Sequence, residues 1–211
     1  MMSIGCINKI EKDSKKDLLK PSYKEQKKAN DYSEFFDTIS NIYSNYKYNI
    51  AIHAPKNWKR DRGISEHTIF RTFQKDSGFS LSVNVIEPEY NVVNSYWVEY
   101  KKNKIALEKK NKEIIEKQIN TSINNVFTKV TFLKNFKSLK RKYDYTVVDG
   151  DYKIDMTSIS YQVPKDNFIY TITFTVPNIF YEKKPIYFDN ILTDVYWLPN
   201  KEIIKKEIYN P

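Results

Sequence analysis

The sequence predicts an α+β fold, built on one mainly antiparallel twisted sheet of about six or seven strands with helices packed on its faces. Three observations predict it. Residues 168–176 alternate strictly, with Phe168, Tyr170, Ile172, Phe174 and Val176 on one face and Ile169, Thr171, Thr173 and Thr175 on the other, the pattern of a strand buried on one side only. Alternating runs recur at 48–54, 67–73, 79–86, 126–133, 139–147 and 152–160, divided by turn residues. Two helical patterns interrupt these strands rather than alternating with them, which argues against a parallel α/β sheet.

Each element follows from its residues. Residues 33–40 read as the start of a short helix, with Ser33 as N-cap and Phe36 and Ile39 touching the body. In 48–54, Tyr48, Ile50 and Ile52 share a face, and Pro55 breaks the strand. The strand 67–73 leads through Asp76-Ser-Gly78, a turn signal, into 79–86, where Phe79, Leu81, Val83 and Val85 point inward and Pro88 stops the run. Residues 96–119 contain neither Pro nor Gly; Tyr100, Leu107 and Ile114 form one stripe with Ile115 beside it, while lysines dominate the remainder. That lysine-rich face reads as solvated, its stems covering apolar surface. Asp149-Gly150 signals a hairpin with positive φ at both central residues. Residues 164–167 turn the chain into 168–176. A closing helix is expected over 187–197, docked through Tyr187, Ile191 and Val195 at a spacing of four.

The chain divides into an N-terminal segment and tether at 1–34, a folded domain at 35–200 and a tail at 201–211. The tether is charged, mixed in sign and poor in large apolar residues, so it cannot bury enough surface to offset its ordering entropy.

Composition narrows the chemistry. Of 211 residues, 35 are Lys or Arg against 26 Asp or Glu, a net charge of +9. Nearly all the positive charge is lysine, the arginines being Arg60, Arg62, Arg71 and Arg141. Bidentate phosphate and base recognition favours arginine, so the charge alone does not make a nucleic-acid partner the better reading. One cysteine, Cys6, precludes an intrachain disulfide and a cysteine zinc site. Four glycines leave no phosphate-cradling loop. His53 and His67 fall on predicted strands without metal-ligand spacing. Glu87, Glu89 and Glu99, with Asp76, match no calcium loop and read as a solvated edge. No catalytic constellation, cofactor or metal emerges.

The stretches 48–59, 76–84 and 170–176, the last followed by Phe188 to Trp197, resemble the PsbP-like superfamily, which includes extrinsic photosystem proteins, a eukaryotic Ran-binding factor and DcrB-like bacterial envelope proteins. The matching features are an opening strand ending in a proline and a tryptophan, a turn into the next strand, and a late aromatic strand before a helix. The resemblance covers about residues 46–198 and consists of packing motifs. It implies a fold and carries no catalytic residues.

Two features bear on function. Ser3-Ile4-Gly5-Cys6 resembles the end of a bacterial lipoprotein signal, with Cys6 the residue that receives lipid; Ser3 stands where leucine is usual, and few residues precede Cys6. Trp58 lies among Lys59, Arg60 and Arg62, a candidate partner-binding group because Trp and Arg are enriched where partners bind; the competing reading is a tryptophan that caps the sheet. The expectation is a non-catalytic binding or assembly module of a bacterial envelope, anchored at the membrane through Cys6 and recognising a protein partner. The alternatives are a chaperone or immunity-type protein for a secreted toxin, an enzyme of unrecognised type, and a cytoplasmic location. The sequence leaves the oligomeric state open.

Overall fold

The computed structural model describes residues 34–199, with 64, 76 and 89–91 excepted. Cys6, the 1–33 part of the tether, Ser33, Asp76, Glu89 and the 201–211 tail lie outside the described residues.

Eleven strands and three helices form the described body: β1 Glu34–Asp37, β2 Ile42–Asn45, β3 Ile50–His53, β4 Lys59–Asp61, β5 Thr68–Phe73, β6 Ser80–Ile86, α1 Val92–Ile119, β7 Ile123–Leu133, β8 Phe136–Asp149, β9 Tyr152–Lys165, β10 Phe168–Pro177, α2 Asn178–Lys183, α3 Pro185–Thr193 and β11 Val195–Trp197. The α+β class and the antiparallel pairing hold throughout. The strands are shared between a seven-stranded sheet, β4-β5-β6-β10-β9-β8-β7, and a four-stranded sheet, β1-β2-β3-β11. Six of the seven expected strands enter the large sheet. The seventh, expected at 48–54, becomes β3 in the small one.

Residues 33–40 were expected to start a helix, yet Glu34–Asp37 is a strand paired with Ile42–Asn45. Phe35 and Phe36 are aromatic residues that fit a pleated surface, and Asp37 turns the chain by accepting hydrogen bonds from the Ile39 amide and the Ser40 hydroxyl. The closing helix ends at Thr193, and Val195–Trp197 is a strand paired with Ile50–Ile52. The helix docks through buried Phe188 and Leu192, whereas Tyr187 points outward. The hairpin with two positive φ values is Lys134-Asn135, at +46° and +71°, between β7 and β8. Between β8 and β9 the loop is Gly150-Asp151, with φ +58° at Gly150, its first central residue.

The core lies between one face of the large sheet and a cover formed by the small sheet and α3. Leu81, Val83, Ile159, Tyr170, Ile172, Phe174 and Val176 are fully enclosed from the large sheet, as are Ile50, Ile52, Leu192 and Val195 from the cover. This confirms the inward faces read from 79–86 and 168–176. Tyr43 stacks on Phe70 with ring centres 4.8 Å apart, and the Tyr170 hydroxyl donates to the Tyr48 carbonyl at 2.6 Å, joining the sheets. Because side chains alternate along a strand, burying this face presents the opposite one to α1.

Candidate functional site

The second face of the large sheet carries hydroxyls and amides. Cross-strand pairing aligns Arg71, Ser82, Thr173, Ser160, Arg141 and Thr128 in one row across six strands. The next row contains Asn84, Thr171 and Gln162. Four strand spacings of about 4.8 Å place Arg71 and Arg141 about 19 Å apart along the row.

Helix α1 crosses this face without sealing it. A trough of about 650 Å³ runs between the helix residues Asn111, Ile114, Ile115 and Gln118 and a floor that includes Ser82, Thr171, Thr173 and Ser160. A second hollow of about 590 Å³ adjoins it toward the helix N-terminus, lined by Tyr96, Tyr100 and Leu107. The two share Asn111, Ile114, Arg141 and Gln162. The apolar stripe of α1 therefore serves two purposes. Tyr100 is buried, Leu107 and Ile115 are half-buried, and Ile114 lines the open trough. A break in helical geometry at Asn103, with φ −120°, divides the helix.

Arg141 stands where the hollows meet. Its Nε donates to Glu108 Oε2 at 3.2 Å and its Nη2 to Glu108 Oε1 at 3.1 Å, a two-pronged pair. Its Nη1 donates to Gln162 Oε1 at 2.9 Å, which also accepts from the Tyr96 hydroxyl at 2.6 Å. Thr128 donates to Glu108 Oε2 at 3.1 Å. Burial alone would raise the Glu108 carboxyl; the hydrogen bonds and charge of Arg141, with Thr128, outweigh it and hold the group below its usual range. Burial pushes the Tyr96, Tyr100 and Tyr143 hydroxyls up to about 12, so they remain protonated donors at neutral pH. At the other end of the row, Arg71 donates to Asp61 at 2.7 Å and lies over the Phe73 ring.

The trough thus has internally matched charges and a hydroxyl floor. Among the described residues no hydrogen bond engages the Ser82, Thr171 or Thr173 side chains. These groups are placed to accept and donate toward an occupant, with Ile86, Ile114 and Ile115 as apolar contacts.

The residues singled out in the sequence occupy other places. Trp58 is half-buried, its ring 6.2 Å from Phe79 and 6.0 Å from Phe174, so it caps the core. Lys59 and Arg60 are exposed on β4, an edge strand, where the Arg60 guanidinium lies over Phe36 at 4.4 Å; Arg62 is exposed just beyond. They do not line the trough. His67 does, while His53 pairs with Asp194 at 2.7 Å in the small sheet. Burial would raise the Asp194 carboxyl, but hydrogen bonds from Tyr196 and His53 hold it below its usual range. Among the described residues no group of three His, Cys, Asp or Glu is placed to hold a metal ion, and no helix is long and apolar enough to cross a membrane.

Sequence reasoning missed Arg141, Gln162, Tyr96 and Glu108. A signal for the first two existed. The parity that buries Tyr161 and Tyr170 puts Ser160, Gln162 and Thr171 on the opposite face, where Arg141 is the cross-strand partner of Ser160.

No family model matches the sequence, and comparison with curated proteins finds no match. Solved structures do match. The solution structure of cyanobacterial PsbP (CyanoP) from Synechocystis is similar over 74% of this chain and 91% of its own, with TM-score 0.49 and 13% identity. In fold, the chain is similar to PsbP. A crystal structure from Bacteroides thetaiotaomicron is similar over 72% of this chain and 46% of its own, with TM-score 0.44 and 11% identity.

Proposed function

We propose that this chain is a non-catalytic binding module of a bacterial envelope, held at the membrane by a lipid on Cys6, and that the trough beneath α1 seats a segment of a protein partner. One observation carries the reading: a hydroxyl and amide floor faces an apolar helix wall across about 650 Å³. A peptide segment has the matching halves, with amides for Thr171, Thr173 and Ser82 and side chains for Ile86, Ile114 and Ile115. The pairing of Arg141 with Glu108 and of Arg71 with Asp61 supports recognition by hydrogen bonds over acid–base chemistry, because both cations are already neutralised. The lipid on Cys6 and the charged tether behind it would hold the domain where a membrane-side partner is found.

The test is capture from a bacterial host that lipidates the chain. The wild type is expected in the membrane fraction with a co-purifying protein. Thr173→Arg, which fills the trough, should release that protein at an unchanged melting temperature, and Cys6→Ala should move the chain out of the membrane fraction. Retention of the same protein by Thr173→Arg refutes the trough as the binding site. Equal solubility of wild type and Cys6→Ala refutes the anchor.

A further inference from the structure

A second surface lies at the α2–α3 junction. Within nine residues, four large apolar side chains stand in solvent: Ile179 at 59% exposure, Phe180 at 47%, Ile186 at 76% and Tyr187 at 56%. Single exposed apolar residues are ordinary. Two of them share one aromatic base: Phe180 packs edge-on against Phe79 at 5.4 Å, Phe79 lies 6.0 Å from Phe188, and Phe188 lies 5.2 Å from Tyr187. The ridge stands on the aromatic core, since Phe188 also stacks on Phe174 at 5.3 Å and on Tyr181 at 6.3 Å. Phe188 and Leu192 fix α3 beneath it. The prongs are therefore presented on a firm base.

Lys183 and Lys184 lie between the two pairs along the chain, both exposed, and among the described residues no ion pair engages either. Glu182 beside them accepts a hydrogen bond from Asn178, and Lys142 lies over the neighbouring Tyr181 ring at 5.1 Å. Apolar prongs, a tyrosine and unpaired lysines on one ridge match a bilayer interface, where rings and aliphatic chains enter the acyl boundary and ammonium groups reach anionic headgroups. A folded protein partner would match the apolar prongs equally well. It would leave two lysines within the contact to be desolvated, and lysine is depleted from protein interfaces. The net charge of +9 adds attraction toward an anionic surface.

We propose that the ridge formed by Ile179, Phe180, Ile186 and Tyr187 with Lys183 and Lys184 is a membrane-docking surface for an anionic bilayer. It deepens the membrane-side reading above without depending on Cys6, so it acts in the chain that carries no lipid. Docking through this ridge would give the domain a fixed orientation at the bilayer, which a tether alone does not.

The experiment uses the full chain purified with Cys6 unmodified, sedimented with vesicles of phosphatidylglycerol and phosphatidylcholine or of phosphatidylcholine alone. Binding is expected at least about tenfold stronger to the anionic vesicles and weaker as salt rises. The pairs Ile179→Asp/Ile186→Asp and Lys183→Glu/Lys184→Glu should each lose about tenfold or more, while Lys153→Glu at the tip of the β8–β9 hairpin should lose far less. Thr173→Arg should bind vesicles like the wild type, which separates failure here from failure of the trough. A second measurement does not depend on charge-changing variants: in a Cys6→Ser background, an environment-sensitive dye on Phe180→Cys should shift to the blue on vesicles, and the same dye on Lys153→Cys should not. No vesicle binding, binding unchanged in the apolar pair, or equal dye shifts at the two positions would overturn the proposal.

Discussion

Replacing Glu108 by leucine isolates the electrostatics of the trough. Arg141 would then lie with its side chain 7% exposed, keeping Gln162 as its partner after losing two hydrogen bonds to carboxylate at 3.2 and 3.1 Å. Removing one member of a buried ion pair costs about 3–5 kcal/mol, because the other charge stays buried and uncompensated. The Glu108 side chain is 21% exposed, so water reaches the gap, and the expected cost is at the low end, about 3 kcal/mol. The double replacement Glu108→Leu/Arg141→Met removes both charges and leaves Gln162 still accepting from Tyr96. It should lie within about 1 kcal/mol of the wild type. The assay is urea unfolding at neutral pH, with midpoints compared only where the slopes agree. A single variant costing under about 1 kcal/mol, or a double variant worse than the sum of its singles, would refute the claim that mutual neutralisation is what the pair supplies.

Two further outcomes follow from the geometry. Phe174→Ala empties a fully enclosed site stacked on Phe188 and near Trp58, and should cost about 3–5 kcal/mol in denaturant melts, a loss under about 1 kcal/mol meaning that the ring is not core. The Glu108 carboxyl lies below the usual carboxylate range when folded, so the folded state binds fewer protons there in acid; its contribution is complete above that usual range and is lost as pH falls through the folded value. Wild type and Glu108→Gln should therefore differ in melting temperature at neutral pH and converge in acid, and a constant gap down to about pH 3 would refute the linkage.

The inward faces of β6 and β10 were legible because side chains alternate with a period of two, so one buried residue fixes its neighbours along the strand. Arg141 was legible in the same limited sense. Alternation sets it with Leu139 and Tyr143, opposite Lys140 and Lys142. That a helix lies over this face, and that Glu108 meets the guanidinium, depends on packing between segments 33 residues apart in the chain.

Sequence by itself determined the α+β class, the antiparallel pairing, the polar and apolar sides of the central strands, and the long lysine-rich helix. Those features rest on local periodicity sustained over many residues. Only the tertiary structure decided that Val195–Trp197 is a strand and that the 48–54 run belongs to a second sheet. Three residues carry too little pattern to separate a spacing of four from an alternation, so a partner strand some 140 residues earlier, His53 beside Asp194, settles the conformation. The trough was equally beyond local reading. A threonine facing solvent and a threonine flooring a cleft are the same residue in sequence, and only the position of α1 above Thr171 and Thr173 distinguishes them.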